Sequence, residues 1–108
     1  MERVYNKLVR DNIPQIIRSK GEEPVVRELN EQEYMRELKK KLLEESSEVV
    51  EAEGGDMLEE LADLMEVAKA LASTMGKSIN DIMEIAECKA RKRGAFDKKI
   101  FLEKVIEK

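Results

Sequence analysis

The residues that could do chemistry are acidic, and they fall in two sets around one turn. Glu44, Glu45 and Glu48 precede Gly54-Gly55, and Glu59, Glu60 and Asp63 follow it. Residues three apart on a helix share a face, so Glu45 pairs with Glu48 and Glu60 with Asp63. The two glycines are a helix stop, and helices joined there fold back as a hairpin. That fold would bring the two pairs together. Carboxylates held close repel one another unless a cation lies between them. Hard oxygen ligands suit Mg2+, with Mn2+ as the alternative.

The apolar pattern sharpens this reading. A helix from Asn30 to about Glu53 carries an apolar stripe of Tyr34, Met35, Leu38, Leu42, Val49 and Ala52. At 100° per residue Glu45 falls inside that stripe, Glu48 at its edge and Glu44 on the wetter side. A carboxylate on a core stripe carries a desolvation cost unless it is paired or metal-bound. For one glutamate, a nearby Lys or Arg or a slight helix rotation is explanation enough. Two acidic pairs flanking one turn, each touching an apolar face, favour a metal. Glu37, Glu51, Glu53 and Glu66 read as solvated surface. Glu44 and Glu59 each precede a proposed ligand and point about 100° away from it, where each could support a ligand, orient a water or simply face solvent.

Two basic sets accompany the acids. Lys89 and Arg93 lie four apart on one helical face and could hold phosphate oxygens, Arg as a fork and Lys as a point charge. The same charges at a helix C-terminus also complement its dipole, and spacing alone does not separate the two roles. Lys7 and Arg10 precede a short helix, from where a loose terminus could reach the acidic site. Simple solubility, or an Arg10–Asp11 pairing, accounts for them as well.

The elements that must position these groups are helical. After a mixed segment 1–11, Asp11 or Asn12 caps a short helix with Pro14 in its first turn, Ile13, Ile16 and Ile17 inward and Gly21 at its end. Glu22 to Leu29, with Pro24 and Val25-Val26, reads as an extended connector or a single short strand, which alone makes no sheet. Asn30 with Glu33 makes a capping box for the next helix. A third helix runs from Asp56 to Met75. One face holds Met57, Leu58, Leu61, Met65, Ala68 and Ala72. Leu64, Val67 and Leu71 widen that face, with Glu60 among them and Asp63 at the border. So broad an apolar girth is central or is covered by a second subunit. Ser78 with Asp81 caps a fourth helix, with Ile79, Ile82, Met83 and Ala86 as core and Gly94 at its end. Residues 95–108 predict a tail helix.

Composition bounds the rest. The 108 residues suit one domain, 1–108, with one core. Charged residues make up 41% and aromatics 4%, a mixture that favours helices. With no His, histidine-activated nucleophiles, His-ligated zinc and the commonest general base are excluded. Cys88 is alone, which excludes an intrachain disulfide, and its expected place is buried or half-buried. A net charge of −4 argues against a nucleic-acid polymer as partner. The first residues lack a signal-peptide pattern, and no apolar run reaches membrane-spanning length, so no membrane partner and a cytoplasmic location are expected.

Taken together, Glu44-Glu45-x-x-Glu48 followed by Glu60-x-x-Asp63 resembles the EExxE…ExxD signature of MazG-like all-α nucleoside triphosphate pyrophosphohydrolases. Lys89-x-x-x-Arg93-Gly94-x-Phe96 resembles that family's nucleotide-side motif. Lys7-Leu8-Val9-Arg10-Asp11-Asn12-Ile13-Pro14 resembles a small single-domain branch related to phosphoribosyl-ATP pyrophosphohydrolase. Eleven residues separate Glu48 from Glu60, short for this signature, so the hairpin must be tight. The resemblance implies an antiparallel bundle of four to five helices, acting as a homodimer or homotetramer. It implies Mg2+ held by Glu45, Glu48, Glu60 and Asp63, and hydrolysis of an NTP or dNTP to the monophosphate and pyrophosphate. Lys89, Arg93, Lys7 and Arg10 would bind the substrate, and Glu44 with Glu45 would serve the chemistry. Two alternatives stand beside it: phosphoribosyl-ATP hydrolysis in histidine synthesis, and a non-catalytic helical dimerisation or metal-binding module.

Overall fold

A computed structural model describes residues 1–108. The chain is all-helical, with α1 at Ile13–Ser19, α2 at Glu31–Glu51, α3 at Gly55–Thr74 and α4 at Ile79–Arg93, and it has no strand. Both capping boxes form. The Asn30 side chain accepts from the Glu33 N–H at 2.9 Å, and the Asn30 N–H donates to Glu33 Oε1 at 3.3 Å. Arg27 grips the same carboxylate from outside at 2.9 Å and fixes the entry into α2. Ser78 and Asp81 repeat the arrangement ahead of α4, where the Ser78 N–H donates to Asp81 Oδ2 at 2.8 Å.

Helices α2 and α3 form the hairpin that the glycine pair predicts, with only residues 52–54 between them. The two glycines do different work. Gly54 turns the chain at φ +58° and ψ −132°, a conformation that L side chains rarely adopt. Gly55 already belongs to α3.

The hairpin is the packed part of the molecule. Leu38 of α2 and Val67 and Ala72 of α3 are its buried apolar residues, with Leu64, Ala68 and Leu71 half-buried beside them. The side of α3 that is covered thus combines Leu64, Val67 and Leu71, the residues around Glu60, with Ala68 and Ala72. Of the main core face expected from the sequence, Ala68 and Ala72 are covered, whereas Met57, Leu58, Leu61 and Met65 are exposed, Leu58 to 71%. Helix α4 touches α3 alone, and α1 packs on no other helix.

The chain does not close on itself. Its radius of gyration is 18.8 Å, against about 13 Å for a compact chain of this length. Several expectations fail for that reason. Residues 94–108 form no tail helix, and Phe96, Ile100, Phe101, Leu102, Val105 and Ile106 are all exposed. Ile16, Ile82, Met83 and Cys88 are exposed rather than inward. A helix end with no surface to pack on gains nothing from burial, and short helices are marginal without it.

Replacing Gly54 by Ala should cost about 1–3 kcal/mol through backbone strain alone, because its Cβ would meet nothing within 4 Å. Gly55→Ala, in a helical position that is equally open, should be neutral or stabilising by about 0.4–1 kcal/mol. Urea unfolding of the two variants beside the wild type measures both. Equal effects would contradict this division of roles.

Candidate metal centre

One carboxylate lies inside the hairpin. Glu45 is the only buried charged residue, at 8% exposure, where the α2 stripe meets α3. Across from it, α3 presents Glu60 and Asp63 on successive positions of one face. A carboxylate oxygen from each of Glu45, Glu60 and Asp63 lies within 4.8 Å of the other two. Glu48, one turn beyond Glu45, is exposed and stands within hydrogen-bonding reach of both Glu45 and Glu60. Four acidic side chains from two helices therefore converge, although only Glu45, Glu60 and Asp63 make the tight oxygen cluster.

The cluster is short of positive charge. Glu45 Oε2 and Glu60 Oε2 are buried with no hydrogen-bond donor. Burial pushes the Glu45 carboxyl above its usual range, reinforced by a hydrogen bond with Glu48 and by the charges of Glu48 and Asp63; Lys41 opposes the shift. Glu60 is pushed up to about 6, first through its hydrogen bond with Glu48, then by desolvation and the neighbouring carboxylates. Two carboxylates can share a hydrogen bond only when one holds a proton, so the ionised cluster leaves those oxygens bare. A divalent cation would satisfy them in place of the proton. These are hard oxygen donors from three or four carboxylates, a set that fits Mg2+ or Mn2+.

Basic groups reach the cluster at one point. Arg10, on the segment ahead of α1, donates from Nη2 to Asp63 Oδ1 at 2.6 Å. Glu44 is exposed, outside the oxygen cluster, and faces Lys41 at 3.6 Å. The sequence reading gives Lys41 no role. Its signal was the spacing of three and four residues ahead of Glu44 and Glu45. Lys7 lies over the Tyr5 ring, 5.7 Å from its centre. Lys89 and Arg93 are exposed on α4 and take part in no ion pair or side-chain hydrogen bond, and α4 does not touch α2. Glu59 is exposed on α3.

Comparison with known proteins adds one sequence relative. An uncharacterised protein of Mycolicibacterium smegmatis is 46% identical over 50 residues, a stretch that is 46% of this chain and 51% of that protein. The match thus spans about half the length of the relative. No family model matches the chain, and no solved structure matches it.

The cluster makes a testable demand on pH. Glu60 has its folded-state pKa raised, to about 6 from an ordinary 4.5. The folded protein therefore binds this proton more readily than the unfolded chain. Its stabilising contribution is complete below about 4.5 and is lost as pH rises toward about 6. In chelator, the wild-type melting temperature should fall relative to that of Glu60→Gln across this interval. Saturating Mg2+ should remove the difference in slope. Parallel curves without metal would contradict the arrangement.

Proposed function

We propose that the chain is a Mg2+-dependent nucleoside triphosphate pyrophosphohydrolase. The observation that carries this reading is the donorless oxygen of buried Glu45, set against Glu60 and Asp63 from the neighbouring helix. A carboxylate is retained in an apolar interface at a cost, and a cation at that point removes it. The motif order resembling MazG-like enzymes supplies the reaction class.

Glu45, Glu60 and Asp63 would hold the metal, with Glu48 as a fourth oxygen donor one turn along α2. When bound, Mg2+ supplies charge neutralisation at the triphosphate and acidifies the attacking water. Glu44 lies outside the oxygen cluster and is the group to accept that water's proton. The new bond joins the water oxygen to the α-phosphorus. The bond from the α-phosphorus to its bridging oxygen breaks, and pyrophosphate leaves with the electron pair. Arg10 and Lys7 from the first segment, with Lys89 and Arg93 from α4, supply positive charge to the phosphates.

The working unit is an assembly of at least two copies. With Leu38, Val67 and Ala72 as the buried apolar residues, one copy leaves the α3 face and the apolar residues after Gly94 uncovered. Patches of this kind on a soluble chain are covered by partners. A homodimer or homotetramer would also offer α4 and its basic residues a second surface to meet.

Two experiments test these points. Purified protein with Mg2+, given a panel of NTPs, dNTPs and phosphoribosyl-ATP, should release pyrophosphate and the monophosphate, identified by mass. Glu48→Ala and Asp63→Ala should each lower the rate by about a hundredfold or more. Release of single phosphate, or inertness across the panel with intact metal binding, would replace this reading by a metal-binding module. Light scattering should give twice or four times the 12.4 kDa chain mass, and a stable monomer would refute the assembly.

A further inference from the structure

The Arg10–Asp63 pair has a consequence for how the cluster is occupied. Arg10 is the only basic side chain that makes an ion pair with a member of the oxygen cluster. It comes from a part of the chain that is otherwise loosely attached. Helix α1 packs on no other helix, and Arg3–Glu22 at 2.7 Å lies within the same segment. The Arg10–Asp63 contact is the one hydrogen bond or ion pair that joins residues 1–26 to the α2–α3 hairpin. Leu8 and Val9, half-buried, flank it.

We infer that the Arg10 guanidinium is a resident cation of this centre, one that a divalent ion displaces from Asp63, so that loading the metal unclasps the first segment. The inference rests on the metal reading of Glu45, Glu60 and Asp63, and on the buried, donorless Glu45 oxygen that independently calls for a cation. The physical argument is competition for one carboxylate. Asp63 Oδ1 is held by Arg10 at 2.6 Å, and the same side chain supplies an oxygen to the cluster. A dipositive ion draws on three or four carboxylates together, whereas Arg10 reaches one. Both partners of the pair are partly exposed, at 58% and 42%, and exposed ion pairs are weak enough to exchange. Release puts a free guanidinium beside the metal, where a phosphate oxygen would be its next partner.

The test compares Mn2+ binding, read from the free-ion electron paramagnetic resonance signal, in wild type, Arg10→Gln and Arg18→Gln. Arg18 makes no ion pair and controls for the charge removed. Arg10→Gln should bind Mn2+ about two- to fivefold more tightly than wild type, the scale of an exposed pair. Arg18→Gln should match wild type. Amide hydrogen exchange of residues 16–21, the hydrogen-bonded amides of α1 and its end that follow Arg10, should accelerate in the wild type when Mn2+ is added. In Arg10→Gln it should be fast with and without the ion. Equal affinity in all three, equal tightening in both variants, weaker binding in Arg10→Gln, or exchange that ignores Mn2+ in the wild type would each overturn the clasp and leave the metal centre standing. Absence of Mn2+ binding in all three would remove the centre and the clasp together.

Discussion

Like charge held in an apolar seam is the constraint on which this structure turns. Glu45 lies buried in the seam between α2 and α3, a position where a charge is costly. Glu60 and Asp63 face it from the neighbouring helix. Repulsion among them is relieved in only two ways, by protons or by a cation. The raised proton affinities of Glu45 and Glu60 express the first route, and the donorless oxygens mark the opening for the second. A hairpin built this way is less stable, with its carboxylates ionised and unpaired, than an apolar seam would be.

The remainder of the chain is arranged loosely around that hairpin. Helix α4 leans on α3 alone, α1 on no helix, and the apolar residues after Gly94 lie in water. A chain of 108 residues with so small a buried core falls well short of what its apolar content could support. Helix α3 carries enough Leu, Val, Met and Ala for a wide apolar girth, and one copy leaves the Met57, Leu58, Leu61 and Met65 part of it uncovered. The molecule is therefore better understood as a helical hairpin with an acidic cluster and unpartnered surfaces than as a closed bundle.

Legibility from sequence followed the range of the interactions involved. The capping boxes at Asn30/Glu33 and Ser78/Asp81 were readable because both partners lie within one turn. The hairpin was readable because Gly54-Gly55 interrupts two helical patterns, and Glu45 because a glutamate breaks an apolar stripe. The relative importance of α3's two faces was not readable. Helical periodicity says that a face is apolar and does not say which partner covers it. The tail after Gly94 reads as a helix in sequence and forms none for the same reason: its apolar residues need a surface to pack on, and this copy provides none.

Amino-acid order alone determined where α1 to α4 form, where α2 turns back into α3, and that Glu45, Glu48, Glu60 and Asp63 share facing sides of the turn; it also predicted a fifth helix, over 95–108, that the structure lacks. These are consequences of spacing, 3.6 residues per turn and local capping, and they need no knowledge of distant neighbours. Only the tertiary structure decided which oxygens meet within 4.8 Å, that Glu48 stands at the rim, and that Arg10, 53 residues away in the chain, closes on Asp63. Such contacts depend on the rotation of one helix against another and on where a loose segment comes to rest, and no local pattern encodes either.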